Sequence, residues 1–580
     1  MAQAFDTSAS RGLEEILPRP RLLSMSMFHI TLCLTCSVLA PVTGASVHLR
    51  AHATGTETVQ TTARKPNILF VLLDDLGFGD AGFNSMRKGQ MTKTPNMDKS
   101  AANGIVLSRH YLHSTCSPSR SAIQTGRAPI HVNIFNGFPT WHNPKDPVSG
   151  FNGIPRNMTG MAEVLAGAGY ATHIVGKWAV GMATPQHTPA GRGYSSSLVY
   201  FHHDIDCWTF KIKFRDGPGC PGTFRSNHSE HYRADAWDLW SHDESTPFPG
   251  KPAQELLNAH NCKSWSQKGH GKCQYLDELF EDRVKRIIRT HDNSRPLFLF
   301  WATRTAHSEY QPPVAAVKEI KDRGIKKYVA RDAMIYWIDQ AFGRVVQALK
   351  DKRLYDNTLI VLCSDNGAEG NLNGLRGGKR TNWEGGIRVA AMVSGGFLPR
   401  SVRGTIQKHL ITGWDWYATF AGLAGVDATD VKAAKAGLPP HDSIDQWPLL
   451  SGASTTALRT RVELGGIREN TGSTVAGGLI TFPYKILHDY VGDPHFGNYA
   501  SCGRTPETGC LYNVFEDPHE KRNLAQEQPE VFKSLLKEVD LVQKGVFVPD
   551  RGAREAGDSP EAVCSAISKK YRGFYGPFVD

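Results

Sequence analysis

Asp74-Asp75 closes the apolar run 67–73, and Asp365-Asn366 closes the apolar run 358–363. Adjacent carboxylates at a strand end repel each other unless a cation compensates. Four hard oxygen donors with no imidazole or thiolate among them suit calcium or magnesium, and calcium accepts more ligands and looser geometry. The same side chains could instead cap strand-to-helix turns. Two strand ends with the same excess of oxygen favour the metal.

A second chemistry lies in Cys116-Ser-Pro-Ser-Arg120, followed by Thr125-Gly126-Arg127. Pro118 suits an early helix position, where its missing N–H costs little. A helix starting there puts residue 116 at the positive end and Arg120 one turn on along the same face. An anion would meet backbone amides, the helix dipole and a guanidinium together. Lys177 in Gly176-Lys177-Trp178, and Lys379 in the glycine-rich stretch Leu375-Arg-Gly-Gly-Lys379, are further cations for an anionic group. A lone lysine is more often a solvated surface charge, so the case rests on the set. As a thiol, Cys116 reads as a nucleophile activated by the helix end or as a disulfide partner.

The elements that must position these residues are legible as runs. Stretches 67–73, 171–175, 297–301 and 358–363 are apolar and of strand length, as in strands buried on both faces of a parallel sheet. Helical patterns separate them at 161–169, 275–291 and 329–350. This alternation predicts an α/β fold with a central, largely parallel sheet flanked by helices. Each strand run leads into polar residues, the third reaching His307. Ligands of open α/β sheets bind beyond the carboxyl ends of the strands, so the four ends predict one shared site. Past about 460 the runs shorten, as at 478–482 and 484–487, with a helix over 529–542. The expected organisation is a signal segment over 1–45, a catalytic α/β domain over 65–460, and a smaller C-terminal α+β domain over 461–580 carrying an antiparallel sheet.

A chain of 580 residues exceeds one ordinary core. Its net charge of +10 favours acidic partners such as a sulfated polymer, though a solvated basic surface reads the same way. The N-terminus reads as a secretory signal: Arg11, Arg19 and Arg21 precede the apolar run 28–42, which is too short to span a bilayer comfortably. Secretory passage fits the sequons at Asn157 and Asn227 and a pool of cysteines for disulfides. Cys207–Cys220, Cys262–Cys273 and Cys502–Cys510 are candidate pairs, Cys363 reads as a buried free thiol, and one cysteine stays unassigned. Neither a nucleic-acid partner nor a stable membrane span is expected.

From 65 to 525 the chain resembles the formylglycine-dependent sulfatase family. The resemblance rests on the two motifs around Cys116, on Gly176-Lys177-Trp178, and on the block from Leu375 through Lys379 to Arg388. It extends to Leu511-Tyr-Asn-Val-Phe-Glu-Asp-Pro518 and Asn523-Leu-Ala525. Gly191–Ser197 and Tyr200-Phe-His-His-Asp204 look most similar to arylsulfatases of the B type, which act on N-acetylgalactosamine 4-sulfate. The resemblance implies an alkaline-phosphatase-like fold and a sulfuric ester hydrolase acting on sulfated aryl or glycan substrates. It makes Asp74, Asp75, Asp365 and Asn366 ligands of Ca2+, joined by residue 116. Cys116 would be oxidised to formylglycine by the formylglycine-generating enzyme and serve as nucleophile. Arg120 would stabilise its hydrated aldehyde, Lys177 and His307 would hold sulfate oxygens, and Lys379 would bridge substrate and residue 116. One geminal hydroxyl would attack sulfur; sulfate would then be eliminated to restore the aldehyde. The implied location is the secretory pathway, secreted or lysosomal.

One departure stands out. Where the family usually has Gly-Lys-Trp-His-x-Gly, this chain has Gly176-Lys-Trp-Ala-Val-Gly181. Ala179 replaces the histidine expected to act as base for sulfate elimination, a loss typically worth on the order of 10²–10⁴ in rate. His202 or His203 could fill that gap. Two further readings stand beside the sulfatase: a phosphodiesterase or phosphonate hydrolase of the same superfamily, and a catalytically impaired binder of sulfated glycans.

Overall fold

In the computed structural model, the run 67–73 is a strand with every residue buried. The structure describes residues 64–85, 93–132, 139–140, 150–212, 236–260, 262, 273–370, 372–467, 474–492, 501–547 and 560–580. The signal segment 1–45, the Asn227 sequon and Cys220 lie outside the described residues. Among the described residues the main sheet has ten strands: Asn67–Leu73 (β1), Ile105–Leu107 (β2), Ala171–Lys177 (β3), Ser196–Tyr200 (β4), Trp240–His242 (β5), Lys251–Pro252 (β6), Leu297–Ala302 (β7), Thr358–Ser364 (β8), Ala391–Ser394 (β9) and Thr405–Gln407 (β10). Their order is β10-β2-β9-β8-β1-β7-β3-β4-β5-β6. The centre, from β8 through β1, β7 and β3 to β4, is parallel. Antiparallel pairs enter on both flanks, β9 against β8 and β5 against β4. The sheet is thus mixed and largely parallel, with the four apolar runs side by side at its middle.

The continuous apolar run of β1 has a direct cause. Ile68, Phe70 and Leu72 point into one core, and Leu69, Val71 and Leu73 into the other. On the first face Phe70 stacks on Phe300 with centroids 4.9 Å apart. Helices Cys116–Thr125 (α1), Met161–Gly167 (α2) and Asp415–Leu423 contribute to that core. The other face is covered by Leu276–Thr290 and Val329–Asp351, through Phe280, Ile338 and Phe342.

Arg461–Ile467, Thr474–Thr481, Tyr484–Leu487 and Cys510–Asn513 form a four-stranded antiparallel sheet, in that order. Pro529–Lys544 is helical, and Phe532 joins Leu479 and Leu511 in the first core. A buried lysine fastens this sheet to the body: Lys485 Nζ lies 3.0 Å from Glu384 Oε1 and 2.8 Å from Glu520 Oε1.

Cys262–Cys273 and Cys502–Cys510 are disulfides, and Cys363 is a buried free thiol. The expected Cys207–Cys220 pair is corrected, because Cys207 is free and buried. It sits in the second core beneath Trp208 and Tyr275, where burial pushes its thiol up to about 12. Cys564, unassigned from sequence, is disulfide-bonded, with its partner outside the described residues. Among the described residues no helix is long and apolar enough to cross a membrane.

Candidate active site

Parallel register places the acids. Leu73 of β1 pairs with Ser364 of β8, so Asp74 and Asp365 leave neighbouring strand ends side by side. Ser364 Oγ accepts the Leu76 N–H at 2.9 Å, and the Asp75 N–H reaches Asp365 Oδ1 at 3.2 Å. Asp75 itself has φ 59°, a left-handed conformation that non-glycine residues hold only where the surroundings enforce it.

Helix α1 begins at Cys116, as the proline spacing predicts. Cys116 Sγ and Arg120 Nη2 both lie 3.5 Å from Asp74 Oδ1. The guanidinium also grips Asp365 Oδ2, from Nη2 at 2.7 Å and from Nε at 3.0 Å. Gly126 ends the helix at φ 68°, where an added Cβ would sit 2.7 Å from the Tyr417 ring. Arg127 is buried against Asp430 at 2.8 Å and the Pro439 carbonyl at 2.7 Å. The Thr-Gly-Arg half of the motif therefore stops and anchors the helix that carries residue 116.

Lys177 arrives at the end of β3. Gly176 before it has φ 112°, and a Cβ there would fall 1.7 Å from the Ala302 carbonyl oxygen of β7, so only glycine allows this approach. Lys177 Nζ contacts Asp74 Oδ2 at 2.7 Å, and Lys379 Nζ contacts Asp75 Oδ2 at 2.6 Å. His307, beyond β7, places Nε2 at 3.8 Å from Asp75 Oδ2, while its Nδ1 meets the Ser308 carbonyl. All nine predicted site residues are buried; the contacts above bring eight together, and Asn366 joins them through Asp75.

Three carboxylates thus face three cations. Burial alone would raise Asp74 and Asp75. Lys177, His307 and Arg120 outweigh it at Asp74, and Lys379 and Lys177 outweigh it at Asp75, so both are held below the usual carboxylate range. Asp365 goes the other way, to about 7, because burial and the Asp74 charge exceed the pull of Arg120. Burial and Asp365 push the Cys116 thiol far up, which disfavours a thiolate nucleophile. Burial and Lys379 hold His307 well below the ordinary imidazole range.

The donor set fits a hard cation. Ligand atoms of Asp74, Asp75, Cys116 and His307 all lie within 4.8 Å of one another. Asn366 Nδ2 donates to Asp75 Oδ1 at 2.6 Å, while its Oδ1 is buried without a protein partner, an acceptor that a cation would satisfy. Asp365 stands outside that group of four, with its oxygens taken by Arg120 and the Asp75 amide.

Position 179 lies beside the end of β4. The Trp178 N–H bonds the Tyr200 carbonyl at 2.9 Å and the Ala179 N–H bonds the Phe201 carbonyl at 3.2 Å. Ala179 is buried with φ 53°. His202 is bound by Nδ1 to Asp238 Oδ2 at 2.9 Å and packs on Tyr575. The His203 ring lies 6.5 Å from that of His307, centroid to centroid. Two supporting residues were missed from sequence. Asp204 lies 3.8 Å from His307 Nδ1, and Arg304 pairs with Asp204 at 2.6 Å. Arg304 stands three residues before His307, inside a strand end already flagged as polar, and Asp204 closes the Tyr-Phe-His-His-Asp block.

A parallel sheet that gathers hard oxygen donors, a helix start and three cations at its carboxyl edge is built to handle an anionic ester. The sulfatase family model matches residues 66–426, and the chain belongs to the sulfatase family. It is similar to arylsulfatase J of Mus musculus, 28% identical over 83% of this chain and 76% of that protein. It is also 31% identical to N-acetylgalactosamine-6-sulfatase of Sus scrofa, over 67% of each chain. Among solved structures, Ps i-CgsB in complex with k-i-k-neocarrahexaose aligns with TM-score 0.64 and 23% identity, covering 87% of this chain and 97% of the other; this likeness speaks to the fold. The protein is a sulfatase, a hydrolase of sulfate esters, on an alkaline-phosphatase-like scaffold.

Proposed function

We propose that the enzyme is a calcium-dependent sulfatase of the arylsulfatase type that uses formylglycine at position 116. Its substrates would be sulfate esters of aryl or glycan alcohols. The observation that carries this reading is the placement of Cys116 at the start of α1, with Sγ and the Arg120 guanidinium on one oxygen of Asp74. A thiol buried so far from its thiolate form is a poor nucleophile, which supports conversion of the residue. Formylglycine would supply a hydrated aldehyde whose hydroxyl attacks sulfur, and calcium held by Asp74, Asp75, Asp365 and Asn366 would lower the charge cost of that attack.

This chain's own side chains do the remaining work. Arg120 orients residue 116 from the next helical turn and neutralises charge beside it. Lys177 and Lys379, tied to Asp74 and Asp75, gain free positive charge when a dication shares those carboxylates, and then hold sulfate oxygens. His307 lines the same pocket. Anion binding at the helix start keeps the sulfate group in line with residue 116. Conversion requires the formylglycine-generating enzyme of the secretory pathway, so the protein would be secreted or lysosomal. Glycan substrates are favoured because relatives are named for N-acetylgalactosamine sulfate and a structural neighbour binds a neocarrahexaose.

Peptide mass spectrometry of protein from a secreting host should find formylglycine at 116, together with turnover of an aryl sulfate. An unmodified thiol in an active enzyme would sink the proposal. Ala179 supports a second reading, a binder of sulfated glycans with little turnover. Release of many equivalents of sulfate per protein would exclude it.

A further inference from the structure

Resting on the formylglycine reading above, we propose that His113 is a positioning residue: its ring sets the turn from which residue 116 is presented, and the C-terminal sheet holds that ring in place. His113 stands three residues before Cys116, outside the motif that runs from Cys116 to Arg127. It is buried, and it bonds twice into the start of α1. Its Nδ1 accepts the Thr115 N–H at 3.2 Å and lies 3.0 Å from Thr115 Oγ1. Its carbonyl accepts a hydrogen bond from Ser119 Oγ at 3.1 Å. Thr115, the last residue before α1, makes no side-chain cap of its own. The start of the helix is therefore braced by an imidazole. It does what an Asn or Asp side chain does when it accepts the N–H two residues on.

A backbone N–H can only donate, so Nδ1 is the bare nitrogen and the ring proton sits on Nε2. Burial holds the imidazole down at about 4, so Nδ1 remains an acceptor through the mildly acidic and neutral range. On its other side the ring rests against the strand Arg461–Ile467 of the C-terminal sheet. A Cβ added at Gly465 would fall 2.9 Å from Cδ2 and 3.1 Å from Nε2, so this strand approaches the imidazole as closely as glycine allows. The same turn is pinned from a second loop: the Ser114 carbonyl accepts the Arg380 N–H at 2.7 Å, one residue after Lys379. Residues 113–115 are thus held between the strand that carries Gly465 and the loop that carries Lys379. Without the ring, the Thr115 N–H becomes a buried donor with no partner, and the turn must move to satisfy it. Residue 116 is the first residue of the helix, with Sγ 3.5 Å from Asp74 Oδ1, so it moves with the turn. Misplacing a reacting atom by about 1 Å can cost on the order of 10²-fold in rate.

The test compares His113→Ala, His113→Gln, His113→Asn and Gly465→Ala with the parent. Turnover of an aryl sulfate is expressed per formylglycine, counted by peptide mass spectrometry, at a temperature well below every unfolding midpoint. His113→Ala and His113→Gln lose the acceptor beside the Thr115 N–H and should lower kcat about tenfold or more, with KM little changed. Asn carries an acceptor on the same carbon as Nδ1, so His113→Asn should stay within about threefold of the parent. Gly465→Ala, made on a different sheet, should push the ring aside and repeat the loss. In the double variant His113→Asn/Gly465→Ala, where the shorter side chain leaves room for the methyl group, the second change should add almost nothing. Parental kcat in His113→Ala overturns this inference alone, as does an Asn variant no better than Gln, or a loss confined to KM. An active parent with an unmodified thiol at 116 overturns the formylglycine reading and this inference together.

Discussion

On the side of the site built by β1, β8 and α1, Asp74, Asp75 and Asp365 meet Lys177, Lys379 and Arg120 in pairs 2.6–2.7 Å long. On the side built by β3 and β4, position 179 carries a methyl group, and the neighbouring imidazoles come from a turn beyond the strand. The first side is over-determined: removing one member leaves a buried charge unpaired, which is strongly destabilising. The second side carries no such paired charges at position 179, whose backbone is tied to the end of β4. The two halves of the reaction are therefore free to diverge separately. On the proposed reading, the bond-forming half is held by paired charges, while the releasing half has lost the side chain expected at position 179.

The widest gap between the halves should appear at residue 116. Cys116→Ala should abolish aryl-sulfate turnover, by roughly 10⁴-fold or more in kcat, because on the proposed reading residue 116 forms the bond to sulfur. Residual turnover near the parent's would move the nucleophile elsewhere and dissolve the comparison. Chelation should come next. Stripping the cation lets Lys177 and Lys379 pair fully with Asp74 and Asp75 and removes charge stabilisation at sulfur, for a loss on the order of 10²–10³ in kcat/KM. Ca2+ should restore it better than Mg2+, since the smaller ion demands stricter geometry. Full activity after exhaustive chelation, checked by elemental analysis, would show that the acids serve folding alone.

Stability should separate the halves by a smaller margin. Asp365→Ala removes the closest partner of the buried Arg120 guanidinium, leaving it Asp74 at 3.5 Å and the Lys177 carbonyl at 3.3 Å, and should cost about 3 kcal/mol in denaturant unfolding. Asp204→Ala leaves Arg304 its carbonyl acceptors on Ile205, His307 and Glu309 and should cost only about 1–2 kcal/mol. Equal costs would mean that the release side is locked as tightly as the acid side.

The same division decided what could be read from residue order. The acid side was legible because parallel strands put their functional residues directly after apolar runs, and because i, i+4 spacing in a helix puts Cys116 and Arg120 on one face. The central strands and the longer helices followed from the same periodicities, with ends displaced by a residue or two. The flanking strands Ile105–Leu107 and Thr405–Gln407 are three residues each, too short for a pattern to register. The release side was only half legible. The absence at 179 showed against the resemblance, but choosing between His202 and His203 required Asp238, 36 residues further on, which diverts one of them. Arg304, which braces the turn 100 residues from Asp204, has no local signal of its partner. Cys207 was misassigned for a related reason: spacing suggests loops that close, but it does not show that a thiol faces a packed core.

The smallest expected effect falls on position 179 itself. Ala179 holds φ 53°, where a Cβ crowds the following carbonyl. Ala179→Gly relieves that strain and loses some entropy advantage in the unfolded chain, for a net stabilisation of about 0.5–1 kcal/mol. Thermal unfolding measures it directly. If the methyl group is a spectator, kcat for the aryl sulfate should stay at the parental value while stability rises. A fall in kcat would mean that the backbone at 179, or its single methyl, still shapes the release step. The clean separation between a charge-paired acid side and a permissive position 179 would then have to be given up.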